Sequence, residues 1–276
     1  MQVMKIVSRL LIVLATTLMI TGCKGYNKLL KSNDFEAKYE AAMKYYNDNS
    51  FSKAIQLFEN LMLYYRGKEH AEDVLWYYAQ SLLQESDYYT AAYQFKRFSR
   101  QYPYSDRASE AAFLSAYCKY EESPDYSLDQ KSTQEAISEF EQFAEHYPTN
   151  PHIPEVNSYL DELRDKLMKK EYEIAYEYYN IEAYNAAHIS LRNYVNLYPE
   201  SPHYEEAMFY MLSAGYQYAI NSTEEKMQER LQEVLNDFEK FSTAFPQSKN
   251  ITKAQHIYTK ARAMLTDLEQ AKENTK

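Results

Sequence analysis

A chain of 276 residues with 4 glycines, 30 tyrosines and a formal net charge of −10 rules out several classes at once. So few glycines leave little to supply the positive-φ hairpin turns of a sheet protein and no glycine-rich phosphate loop. The acidic balance disfavours nucleic acid, whose phosphates need a basic surface, so the chain reads as an acidic all-helical protein.

Residues 1–22 form a separate object, a secretory signal. Lys5 and Arg9 make a basic start, and Leu10–Ile20 is an apolar run too short to span a bilayer. The run closes on Ile20-Thr21-Gly22-Cys23, which resembles a bacterial lipobox. That resemblance implies a diacylglycerol and an N-acyl chain on Cys23, which becomes the new N-terminus. Several acyl chains hold firmly where one alone is marginal. Loss of Lys5 and Arg9 leaves 28 basic against all 40 acidic side chains, a net charge of −12. Residues 23–33 read as the anchor and a short polar tether.

From Phe35 onward one pattern appears five times. Its copies are Phe51, Ala54, Phe58, Leu61; Tyr88, Ala91, Phe95, Phe98; Thr133, Ala136, Phe140, Phe143; Tyr184, Ala187, Leu191, Tyr194; and Leu231, Val234, Phe238, Phe241. The spacing of 3, 4 and 3 puts each set on one helical face. Pro103, Pro148, Pro199 and Pro246 stop four of these helices, and Arg66-Gly67 stands at the end of the first. A second helix precedes each, with Ala42, Ala79, Ala116, Ala175 and Leu212 at the crossing positions. Copy three carries 8 extra residues around Ser123-Pro124-Asp125, and copy five about 10 around Asn221–Glu224. Copy four opens with one long helix, His152 to Tyr179, whose apolar face is Tyr159, Leu163, Leu167, Ile174 and Tyr178. A last helix, about Ile251 to Gln270, caps the array. The units resemble tetratricopeptide repeats. That implies a right-handed superhelical array of about five helix pairs with the first helices on its inner wall. Repeats one to three (34–148) form an N-terminal part, and repeats four and five with the cap (149–276) a C-terminal part.

No chemistry is spelled out. The six histidines include no pair at i+3 or i+4 and no His-Glu-x-x-His, so no metal site is expected. Glu121-Glu122, Glu205-Glu206 and Glu224-Glu225 read as helix-end charges, and no serine lies in a nucleophile elbow. Cys118 reads as a buried structural thiol with no disulfide partner. The chain is therefore expected to be neither an enzyme nor a cofactor carrier. On the inner face of the first helices, Tyr39, Met43, Tyr46, Asn47, Trp76, Gln80, Gln84, Phe113 and Tyr120 make an apolar, amide-rich groove for an extended peptide, with inter-repeat packing the competing role for Tyr39, Trp76 and Phe113. Arg164, Lys166, Lys169 and Lys170 form a basic cluster on the long helix, either a solvated face or a docking edge.

The lipobox, the five repeats and the run from Leu167 to Ser201 together resemble the BamD family of outer-membrane assembly lipoproteins. The residues that carry this are Lys170–Tyr179, Tyr184, Ala187, Arg192 and Tyr198-Pro199-Glu200-Ser201, with Asp73-Val74-Leu75 and Ser127-Leu128-Asp129-Gln130. The resemblance implies a lipoprotein on the inner leaflet of the bacterial outer membrane, facing the periplasm. It implies as partners a BamA-type barrel insertase, other assembly lipoproteins and unfolded outer-membrane proteins. Substrate segments would enter the N-terminal groove, and the C-terminal part, with Arg192, would dock the insertase. Lys24 after the cysteine fits outer-membrane sorting. The alternative is a repeat lipoprotein that organises peptidoglycan hydrolases or the Tol system.

Overall fold

The computed structural model describes residues 25–273. The signal, the lipobox and Cys23 lie outside them. Every regular element among the described residues is an α-helix, as expected. They are α1 (25–30), α2 (Phe35–Asn47), α3 (Phe51–Tyr64), α4 (Ala71–Gln84), α5 (Tyr88–Gln101), α6 (Ala108–Glu121), α7 (Lys131–His146), α8 (Ile153–Asn180), α9 (Tyr184–Leu197), α10 (Tyr204–Ile220), α11 (Glu224–Ala244) and α12 (Ile251–Glu273). No described helix is long and apolar enough to cross a membrane.

The chain divides into two compact units. The first holds the residues up to Pro124 with Lys131–Leu160, and the second holds Asp125–Gln130 with everything from Asp161. The division falls inside α8. Within each unit, helices pack against their neighbours in sequence, α2 on α3 and α3 on α4 in the first, α9 on α10 and α10 on α11 in the second.

The 3-4-3 stripe explains this packing. Ala54, Phe58 and Leu61, Ala91, Phe95 and Phe98, and the matching residues of α7, α9 and α11 are all buried. So are the crossing residues Ala42, Ala79, Ala116, Ala175 and Leu212, whose facing partners let the helices approach. Burying each such phenylalanine contributes about 2–3 kcal/mol. Each proline acts one residue earlier than its own ring. The helices end at Gln101, Leu197 and Ala244, and the next residues, Tyr102, Tyr198 and Phe245, share φ of −125° to −133° and ψ of 61° to 63°. The proline ring excludes the α conformation from the residue before it.

The hairpin turns also repeat. Asn49, Ser86 and Glu182, each five residues before the stripe alanine of the next helix (Ala54, Ala91 and Ala187), have φ of 55°, 60° and 62°. In each turn the next N–H reaches back across the helix end, as in Ser50 N to Tyr45 O (2.7 Å), Asp87 N to Leu82 O (3.0 Å) and Ala183 N to Tyr178 O (2.9 Å). These left-handed caps are positions that glycine ordinarily fills, and a side chain there costs about 1–2 kcal/mol. Glu182→Gly is accordingly expected to raise stability by about 1 kcal/mol, measured by urea unfolding. Asn49→Gly should gain less, because asparagine tolerates this conformation. Equal gains at both positions would contradict the strain argument.

Three expectations are revised. Residues 25–30 are not a plain tether but a helix packed on the first hairpin through Tyr26 and Leu30. The extra residues of copy five lie not around Asn221–Glu224 alone but in both helices: α10 and α11 have 17 and 21 residues against 14 in α4 and α5, with the same three-residue turn between. On α8, Ile174 and Tyr178 are exposed, while Tyr172, Ala175 and Tyr179 pack inward. Leu163 and Tyr172 are both buried but nine residues apart. At 100° per residue that is half a turn out of phase, so α8 has no single apolar stripe.

Candidate functional site

The nine groove candidates separate into two groups. Tyr39, Trp76 and Phe113 occupy the same place in successive first helices, and each lies under the residue that starts the next first helix. Tyr39 stacks on His70 at 4.3 Å and Phe113 on His152 at 3.9 Å, while the Arg107 guanidinium lies 5.5 Å from the Trp76 ring. In the second unit Tyr172 stacks on His203 at 4.6 Å in the same way. Three of these pairs are 31 residues apart, and the Phe113 pair is 39 apart because of the eight extra residues of copy three. Phe113 is 5% exposed, and it is core, not groove wall. Trp76 also packs edge-on against Phe95 and Phe98. These aromatics therefore join one repeat to the next, and each face-on contact adds about 0.5–1.5 kcal/mol beyond burial.

Carboxylates complete the junctions. Arg107 Nη1 donates to Asp73 Oδ1 (2.7 Å), and His152 bonds to Glu110 (3.0 Å) and Glu155 (3.2 Å). Burial works to lower the His152 pKa, but hydrogen bonds to Glu155 and Glu110 outweigh it and hold the imidazole above its ordinary value.

The second group stays accessible. Met43, Tyr46 and Gln80 are half-buried, and Asn47 and Gln84 are exposed. Tyr46 is edge-on to Tyr77 (4.9 Å) and Phe51 (5.6 Å), which holds its ring rigidly at the surface of the packed helices α2 and α4. Tyr120 is half-buried against Tyr159 (4.4 Å) and Tyr117 (6.3 Å).

The basic cluster of α8 has a structural task that its spacing does not reveal. Lys170 Nζ donates to the Leu128 carbonyl (2.5 Å) and Lys169 Nζ lies over the Tyr126 ring (4.1 Å). Lys166 sits near Asp125 and Glu162, with burial lowering its pKa despite them. These lysines fasten the extra residues of copy three, which are also folded on themselves through Ser127 and Gln130. Arg164 is exposed.

Arg192 lies at the edge of a cleft of about 870 Å³ in the second unit, lined by α9, α10 and α11. Its Nη2 is 2.8 Å from Glu233 Oε2, 3.0 Å from His188 Nε2 and 4.0 Å from Asp237 Oδ2. His188 and Asp237 are both buried, with Nε2 3.4 Å from Oδ2. Protonated, Nε2 donates to Asp237; unprotonated, it accepts from Arg192. Met208 and Met211 line the same cleft, with Asn196, Asn236 and Lys240. This polar cluster was invisible in the sequence, since its members are 49 residues apart and no motif joins them.

The remaining candidates are structural. Cys118 is fully buried, and burial, reinforced by Glu122 and Glu121, pushes its thiol pKa up to about 12, so it is inert at neutral pH. Glu121 and Glu122 close the C-terminal end of α6, where Lys119 pairs with Glu122 (3.0 Å); the other two glutamate pairs open α10 and α11 as expected. Among the described residues no cluster of His, Cys, Asp and Glu is arranged to hold a metal ion.

Residues 31–231 match the family model YfiO, described as an outer membrane lipoprotein. Among curated proteins the chain is 21% identical over 206 residues to the outer membrane protein assembly factor BamD of Caulobacter vibrioides, covering 73% of this chain and 68% of that one. Among solved structures it is similar to the TPR domain of P58(IPK), with 12% identity, a TM-score of 0.41 and 87% and 68% of the two chains covered. It is also similar to the TPR2AB domain of yeast Sti1, with 12% identity, a TM-score of 0.38 and 87% and 95% covered.

Proposed function

The chain belongs to the YfiO family of outer-membrane lipoproteins, and from that premise we propose that it is a non-enzymatic component of the machinery that folds and inserts β-barrel proteins into the bacterial outer membrane. Acyl chains on Cys23 hold it to the inner leaflet, facing the periplasm. The observation that carries the reading is the family match, which runs through both units of a helix-pair array. Such arrays bind peptides and folded partners through stacked helix surfaces.

The parts divide as follows. Met43, Tyr46, Asn47, Gln80 and Gln84 offer extended, unfolded segments a rigid ring, a thioether and amide groups that pair with peptide backbone. The Arg192 cleft, with Glu233 and Lys240 on its rim, and the exposed Arg164 receive the barrel insertase and its companion lipoproteins. Lys166, Lys169 and Lys170 serve this docking indirectly, by holding residues 125–130 in place.

Affinity capture of the acylated protein from its native membrane tests the assignment. A barrel insertase should be recovered, and Arg192→Ala should reduce its yield. Recovery of a peptidoglycan hydrolase or a Tol component in its place would overturn the reading. For the groove, peptides ending in an aromatic residue should bind the Tyr46→Ala, Gln80→Ala double variant at least ten-fold more weakly than wild type.

A further inference from the structure

The segment that follows Cys23 is folded from residue 25 on, and it has a basic bias in an otherwise acidic chain. Residues 23–33 contain Lys24, Lys28 and Lys31 and no acidic side chain, in a mature chain of net charge −12. In α1, the Tyr26 hydroxyl donates to the Lys53 carbonyl (3.0 Å) and to Gln56 Oε1 (3.1 Å). Its ring meets Tyr45 edge-on at 5.5 Å, and Leu30 packs on the same core. Ser32 closes the helix by donating to the Leu29 carbonyl (2.8 Å), and the Asp34 carboxylate is engaged in capping α2 at Ala37 N (3.0 Å). Lys28 and Lys31, three residues apart, fall on the side of α1 opposite Tyr26 and Leu30, and both are exposed. Lys53, also exposed, extends its ammonium over the Tyr26 and Tyr45 rings at 6.0 and 5.1 Å.

We propose that α1 and the start of α3 form a basic foot that rests on anionic phospholipid headgroups. The inference depends on the reading of Cys23 as the acylated residue. Only Lys24 and Gly25 separate Cys23 from Tyr26, three residue steps that span at most about 10 Å, so the bilayer surface lies within reach of the lysines. Pinning α1 to α3 carries that constraint into the first helix pair, which a free tether would not do. Charge complementarity selects the occupant: the acid-free, lysine-bearing stretch that adjoins the acylated cysteine is matched to a negative lipid surface, where each lysine strengthens binding about five-fold.

The test uses the full mature chain with Cys23→Ser, so that no acyl chain masks the headgroup contact. Its binding to vesicles of phosphatidylglycerol mixed with phosphatidylcholine is compared with binding to phosphatidylcholine alone, by co-sedimentation at low salt. Binding should appear with the anionic lipid and weaken as salt rises. Lys28→Gln with Lys31→Gln should weaken it about 25-fold, whereas Lys260→Gln, exposed on α12, should not. Equal binding to both vesicle types, or binding indifferent to the double substitution, overturns the proposal. Acylation itself is read separately, from the mass of the Cys23 adduct in the native protein.

Discussion

Phe98→Ala is expected to destabilise the first unit by about 3–5 kcal/mol. The side chain is fully buried in α5, with the Trp76 ring 5.3 Å away and Tyr102 5.2 Å away. Truncation loses the transfer energy of an aromatic ring and leaves a cavity. Its walls are rigid, because α4 of the same repeat and α6 of the next both pack on α5 and cannot collapse independently. Trp76 is the only tryptophan of the chain, so its fluorescence during urea unfolding reports this unit selectively. Tyr93→Ala is the control. It sits on the same helix but is 64% exposed, and it should change stability by no more than about 0.5 kcal/mol. Comparable losses from the two substitutions would show that the stripe is not the organising core.

Gly215→Val is expected to cost about 3 kcal/mol in the second unit. A Cβ at this position of α10 would lie 3.1 Å from His188 Nε2 and 3.3 Å from Cδ2. The imidazole has nowhere to retreat, because Asp237 and Arg192 hold the same nitrogen from α11 and α9. A residue with better helix propensity than glycine, worth about 0.5 kcal/mol here, would therefore still destabilise. His188→Ala in the same chain removes the obstacle. The double variant should then lose clearly less than the sum of the two single ones, as measured by circular dichroism in urea. Simple additivity would mean that the ring and the glycine are not in contact.

Both positions bear on function through rigidity. Under the proposed function, Arg192 would present its guanidinium to a partner only if His188, Asp237 and Glu233 fix it, and Tyr46 would face an extended segment only if Tyr77 and Phe51 hold its ring. In neither case is the exposed group preorganised by its own helix alone. A stiff scaffold lowers the entropic cost of binding a flexible segment, which is what the proposed function requires.

The helical class, the five stripes, the turns, the long α8 and the capping helix were all legible in the residue order. So was the burial of Cys118 as an inert thiol. These are local matters: a 3-4-3 spacing acts within two turns of one helix, and a proline acts on the residue beside it. Tertiary structure alone decided which aromatics are core and which are surface, since Tyr39, Trp76 and Phe113 look like groove residues until the next repeat places His70, Arg107 and His152 on them. It also decided that the lysines of α8 hold residues 125–130, that α1 is docked through Tyr26, and that His188 meets Asp237. Each of these joins residues about 27 to 49 positions apart, and their meeting depends on the accumulated geometry of several turns. No periodicity records that geometry, because helical spacing describes one helix and not the angle at which the next one returns.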